Sequence, residues 1–287
     1  MEAKEVTATV PTDASPGELV PAAEFNVREF ARTAVGSHRS SLNLAYFTDH
    51  PLTPDAVALV DYLAGLERST LQYLRGVLVT PTHKDARVTA FLVTWAYEKY
   101  WIADALEAIV NAHPRSQAAA VDRMHPVRDA FRALAERVQP IRESVVANAL
   151  GEDVVAVHTM TGAIDEWVTQ VAYARLVERV GNTELTRVVA DILKVKQRHE
   201  AFFAAQSRDR FARSPKAARL ARRRLSKIHW PLGSVDQSAD VTLRFYRSLL
   251  DARTVAEIDE RIDTYPGLSG LRLVHRSAMS AARGGAR

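Results

Sequence analysis

Four stretches of this chain set an ionisable side chain in the middle of an apolar run. The first is YLAGLERSTLQYL, which carries Glu67. The second is WAYEKYWIADAL, with Glu98 and Lys99 side by side. The third is AIDEWVTQVAY, with Glu166, and the fourth is ILKVKQRHEAFF, with Lys196 and His199 one helical turn apart. Carboxylates and amines brought together in a core form salt bridges. An amine that loses its proton on burial becomes a base, a nucleophile or a ligand, which makes Lys99 and Lys196 candidate catalytic groups. Taken alone, each residue has a plainer reading. A mid-helix Glu is ordinarily solvated, and a His beside Phe is ordinarily a satisfied core residue. The recurrence near the midpoints of four segments argues for one shared level, because a buried polar group needs a partner.

The elements that must position these groups are helices. One periodic segment runs from Thr53 to about Val79, with Pro54 at the first helical position. A second runs from about Lys84 to Ala112 and stops before Pro114. A third runs from about Glu152 to Val180 and ends at Gly181-Asn182, a C-cap signal. A fourth starts at the Thr183 cap and continues to Ser214, before Pro215. Between the second and third lies an amphipathic stretch, Ser116 to Leu150, interrupted by Pro126 and Pro140. No run alternates with period two long enough for a strand. The expected class is all-α: a ferritin-like four-helix bundle with extra N-terminal and C-terminal helices, since a pair, a crossover and a pair is that layout. A helical bundle of another topology is the alternative. The expected organisation is a disordered leader over 1–23, the bundle over 24–235, opening with a short helix in EFNVREFARTAVGSH, and further helices over 236–287 packed on the bundle.

Composition narrows the chemistry. The 287 residues include no Cys, which removes disulfides, Cys-ligated zinc, iron–sulfur centres and thiol nucleophiles together. A hydrophobic fraction of 47% supplies a sizeable core. The first residues show no apolar stretch behind a basic start, and no window approaches about 18 apolar residues, so neither a signal peptide nor a membrane span is expected. The expected location is cytoplasmic. From Arg213 to Lys227 the chain carries five Arg, two Lys and no acid. Such a run is a solvated face or an anion-binding one, with Arg219, Arg222, Arg223 and Lys227 as candidates. A net charge of +4 and the lack of a helix-turn-helix signature argue against nucleic acid.

KQRHEAFF resembles the D-E-x-R-H-E-x-x-Y motif of ferritin-like di-iron carboxylate proteins, the acyl-carrier-protein desaturases in particular. WAYEKYWIADAL resembles their W-x-x-E-E-N-R-H-x-D-x-L motif, with Trp95, Glu98, Asp104 and Leu106 on matching positions. LERSTLQYL and IDEWVTQVAY sit where that family has its two single ligand Glu residues. The resemblance covers roughly residues 50 to 235. It implies a di-iron oxidoreductase of the oxygenase or desaturase type, a carrier-protein-linked acyl substrate and a homodimer. Carried over by position, the six iron ligands fall on Glu67, Lys99, Ile102, Glu166, Lys196 and His199, so only Glu67, Glu166 and His199 are competent. Sliding the second motif by one residue gives Glu98 and Trp101, which restores a carboxylate but no His. The metal candidates implied are therefore Glu67, Glu98, Glu166 and His199, and the expected cofactor is no metal or weakly held iron. Two carboxylates against Lys99 and Lys196 sum to zero without metal, and buried charges persist best when paired. The leading expectation is an oxidoreductase-related protein with an altered, metal-poor centre. The alternative is a non-catalytic ferritin-like scaffold that binds an anionic partner such as a carrier protein.

Overall fold

A computed structural model describes residues 22–113 and 151–284. Most of the expected leader, the Ser116–Leu150 stretch and the last three residues lie outside the described residues. Within them the chain is helical and contains no strand. The helices are α1 (Val27–Arg32), α2 (Tyr46–Asp49), α3 (Pro54–Leu78), α4 (Ala86–Asn111), α5 (Asp153–Val180), α6 (Thr183–Arg213), α7 (Pro215–Leu225), α8 (Ala239–Leu249), α9 (Ala252–Asp263) and α10 (Leu273–Gly284).

Local chemistry fixes the long helices at both ends. Thr53 accepts the Ala56 N–H at the start of α3, Asp85 accepts that of Val88 on α4, and Asn182 accepts that of Leu185 on α6. Each such cap contributes about 1 kcal/mol. Gly181 ends α5 in the left-handed region, φ 64°, and returns its N–H to Val177. Pro215 opens α7 behind the Ser214 cap. The first short helix departs from the expected span: only Val27–Arg32 is helical, capped by Asn26. Beyond Thr33 the chain is held by long-range side chains instead, and no local periodicity reveals those.

Two hairpins form the body. α3 packs along α4, and α5 along α6. The Leu52 N–H, just before α3, donates to His113, just past α4, and Glu67 meets Lys99, so the first pair is antiparallel. Thr159 against Ser207 and Gln170 against Glu200 give the same sense to the second. α3 also runs antiparallel to α5, through Tyr173 to Glu67 and Tyr73 to the His158 carbonyl. α4 runs antiparallel to α6, through His199 to Glu98 and Arg210 to Asp85. It follows that α4 and α5 run parallel, and the end of one and the start of the next lie at opposite ends of the hairpins. Gly162 permits the close approach of α5 to α6: a Cβ there would meet the Phe203 ring at 2.6 Å. Phe91, Phe202 and Phe203 interlock between the hairpins, with Phe91 stacked on Phe202 at 3.7 Å. α7 packs on α5 and α6, while α8 and α9 lean on α5 and carry α10. No described helix is long and apolar enough to cross a membrane.

Candidate functional site

Four helices turn ionisable side chains into one buried layer. α3 contributes Glu67, α4 contributes Glu98 and Lys99, α5 contributes Asp165 and Glu166, and α6 contributes Lys196 and His199. Each of the seven is buried, Asp165 being the most exposed at 3%. Periodicity explains the placement. Lys99 lies one turn from the core residues Trp95 and Ile102, and Lys196 lies one turn from Ile192 and His199.

The ammonium groups sit between the carboxylates. Lys196 Nζ lies 3.1 Å from Glu67 Oε1 and 2.8 Å from Glu166 Oε2, bridging α3 and α5. Lys99 Nζ lies 2.5 Å from Glu67 Oε2, 3.4 Å from Asp165 Oδ2 and 3.8 Å from Glu166 Oε1. The Lys99–Glu67 and Lys196–Glu166 approaches are charge contacts, close but not aligned as hydrogen bonds. Neutral donors complete the glutamates: the Tyr173 hydroxyl donates to Glu67 Oε1 at 3.0 Å, and Trp95 Nε1 donates to Glu166 Oε1 at 2.9 Å. His199 stands between two carboxylates, with Nε2 2.7 Å from Glu98 and Nδ1 3.3 Å from Glu166. The other Glu98 oxygen accepts from Arg198 and from the Val35 N–H, the latter at 2.7 Å. The second Asp165 oxygen accepts the Leu232 N–H at 2.9 Å.

Electrostatics decides the protonation states. Burial alone would raise the Glu67 and Glu166 carboxyls, but Lys196 and Lys99 outweigh it and hold Glu67 below the usual carboxylate range and Glu166 well below it. Burial alone would strip the proton from Lys99, but Glu67, Glu166 and Asp165 together push its pKa above that of an ordinary lysine. Lys99 is therefore an ammonium at neutral pH and has no lone pair to offer as a base. Asp165 goes the other way: burial raises it, and Lys99 does not fully compensate. Burial and the neighbouring Glu67 raise Tyr173 well above its ordinary value, which keeps it a neutral donor.

These shifts predict an acid-sensitive core. Glu67 and Glu166 are depressed on folding, so their stabilisation is complete above the ordinary glutamate range and is lost as pH falls through their lowered values. Lys99 is raised, so its contribution is complete below the ordinary lysine value and is lost only in strong alkali. Asp165 is raised and works against the two glutamates in the same acid window. Melting temperature is expected to hold steady around neutrality and fall below about pH 4.5. Glu67→Gln should flatten the acid limb while lowering the neutral plateau. An acid limb unchanged by that substitution would remove Glu67 from the account.

Both residues of the ambiguous motif on α4 point inward. Lys99 turns to Glu67 and Asp165, and Glu98 turns to His199 and Arg198. Ile102 is fully buried, and Trp101 is half-buried against Tyr97 and Tyr100. The balance of two carboxylates against two amines needs correction. The layer holds four carboxylates, because Asp165 and Glu98 also turn in, and Arg198 stands with the lysines against them, while His199 lies between Glu98 and Glu166. Asp165 was legible in the DE pair between Ile164 and Trp167; the Val35 amide was not, since it lies outside regular structure. Arg219, Arg222, Arg223 and Lys227 lie exposed on α7 and just past it. Arg222 is committed to the Gly267 and Ser269 carbonyls. Among the described residues no ion pair engages the other three, and none of the four contacts the buried layer. A surface cleft of about 560 Å³, lined by Tyr46, His50, Thr53, Arg179 and Asn182, lies at the start of α3, far along that helix from Glu67.

A di-iron pair does not fit these residues. The glutamate oxygens that would meet metal face ammonium groups instead, and no three His, Asp or Glu among the described residues are arranged to hold an ion. No protein-family model, curated protein or solved structure matches the chain.

Proposed function

We propose that the chain is a ferritin-like four-helix bundle related to the di-iron oxidoreductases, whose centre works without metal and serves as a scaffold core. The observation that carries this reading is the bridge of Lys196 between Glu67 and Glu166, with Lys99 on the other Glu67 oxygen. A cation in that position does the electrostatic work of a metal and repels a divalent ion that would replace it. The helix directions support the bundle: α3 and α6 run one way and α4 and α5 the other, which is the sense of two hairpins joined by a long crossover. The seven side chains of the layer are all buried, which suits a structural centre.

Protein purified from iron-rich medium is expected to hold well under one iron per chain by elemental analysis, with no visible oxo-bridge absorption. Two irons per chain would overturn the metal-free reading, since Glu98 or a neutral lysine would then have to serve as ligand.

A further inference from the structure

The surface cleft at the start of α3 combines an apolar floor, an aromatic wall and an uncommitted cation. It encloses about 560 Å³, within the range of small-molecule sites. At 1.5 Å per residue it lies on the order of 20 Å along α3 from Glu67. Leu52, Ala56 and Leu59 are buried at its floor, and Val180 is half-buried beside them. On one wall the Tyr46 and His50 rings lie nearly parallel, 9° apart, with centroids at 4.2 Å. Tyr46 is half-buried and His50 exposed, so the free face of the stack belongs to His50. Two charged side chains edge the cleft, and only one is engaged. Asp55 pairs with Arg244 at 3.0 Å. Arg179, on the last turn of α5, is exposed and has no hydrogen-bond or ion-pair partner among the described residues, whereas Arg175 a turn earlier pairs with Glu178. The walls are braced from behind. Asn182 donates to the His50 carbonyl at 3.1 Å while it caps α6, and the Leu52 N–H donates to the buried His113 at 2.9 Å. The cleft is therefore formed before any ligand arrives.

We propose that this cleft binds a small aromatic carboxylate. The ligand ring covers the apolar floor and stacks on the free face of His50. Its carboxylate meets Arg179, whose planar guanidinium matches two oxygens at once. The start of α3 is not the anion site, because Pro54 has no N–H and the Ala56 N–H is committed to Thr53. One free guanidinium suits a single carboxylate better than a doubly charged phosphate ester. An amine finds no anchor, since Asp55 is already held by Arg244. The cleft is separate from the ion-pair layer, so its occupancy does not depend on whether that layer holds metal.

Naphthylacetate serves as the probe, with naphthylacetamide as its uncharged counterpart and octanoate as an aliphatic acid. Isothermal titration of the full chain is expected to give one site for naphthylacetate and affinities lower by about tenfold or more for the other two. Arg179→Gln should weaken naphthylacetate by about tenfold or more and leave the amide unchanged. His50→Ala should weaken both ring compounds by roughly threefold to tenfold. Both positions are exposed, so neither change should alter the helical circular dichroism. Absence of naphthylacetate binding at millimolar concentration overturns the proposal. So does an Arg179→Gln chain that binds the acid as tightly as the wild type, or an amide that binds as tightly as the acid. Octanoate binding as tightly as naphthylacetate overturns the assignment of an aromatic ligand.

Discussion

Lys196→Met is expected to destabilise the protein by on the order of 3–5 kcal/mol, because it removes one partner of a fully buried ion pair and keeps the other. Lys196 is the ammonium that joins Glu67 to Glu166, and both its neighbours are as buried as it is. Methionine fills much of the same volume, so lost packing is a small part of the effect. What remains is Glu67, Asp165 and Glu166 sharing Lys99. For a chain of this size the melting temperature should fall by roughly 10 °C. The origin is separable by a second change. Glu67→Gln in the Lys196→Met background leaves Lys99 to balance Glu166, and it should recover a large part of the loss. Coupling of this kind is read from the four proteins of a double-mutant cycle by urea unfolding. A loss below about 1 kcal/mol for the single change, typical of an exposed pair, would mean that the layer is hydrated and the bridge incidental.

The triple change Lys99→Glu, Ile102→His, Lys196→Glu should convert the layer into a metal site. It replaces both ammonium groups by carboxylates and sets a His one turn beyond position 99. Ile102 is fully buried there, so the imidazole stays in the core. Together with Glu67, Glu166 and His199 this gives four carboxylates and two His, the donor set of a bundle di-iron centre. The apoprotein should be severely destabilised, and ferrous iron should restore it. At a free metal concentration a hundred times the dissociation constant the gain is about 2.7 kcal/mol, and it grows with the logarithm of concentration. Iron content and the metal-dependent rise in melting temperature measure the same event independently. A folded triple variant that takes up no iron, with a melting curve indifferent to metal, would show that the resemblance at these positions is accidental.

Much of this was legible before any coordinates. The four long helices follow from Thr53-Pro54, Asp85, Gly181-Asn182 and Ser214-Pro215, where capping chemistry and apolar period agree. The inward placement of Glu67, Glu166, Lys196 and His199 follows from their apolar neighbours a turn away. Which of Glu98 and Lys99 faces the core was not decidable, because adjacent residues on a helix differ by about 100° and the layer is wide enough to take both. Arg198 reads as a surface residue by period, yet its long side chain curls back to Glu98. The carbonyls that hold Arg222 come from the turn before α10, some 45 residues later in the chain. Tertiary partners of that kind leave no mark on local spacing.

The division of the charges between the hairpins has a consequence for alignment. The α3–α4 hairpin by itself carries Glu67 and Glu98 against Lys99. The α5–α6 hairpin carries Asp165 and Glu166 against Lys196 and Arg198, with His199. Most of the contacts that satisfy them cross from one hairpin to the other: Lys196 to Glu67, Lys99 to Asp165, His199 and Arg198 to Glu98, Tyr173 to Glu67 and Trp95 to Glu166. A slip of one helical turn, about 5.4 Å, would carry every one of these atoms out of reach at once. An aliphatic seam offers nearly the same burial in the slipped position as in the true one. The charged layer does not, so it acts as a vernier: the hairpins have one mutual setting in which no buried charge is left alone.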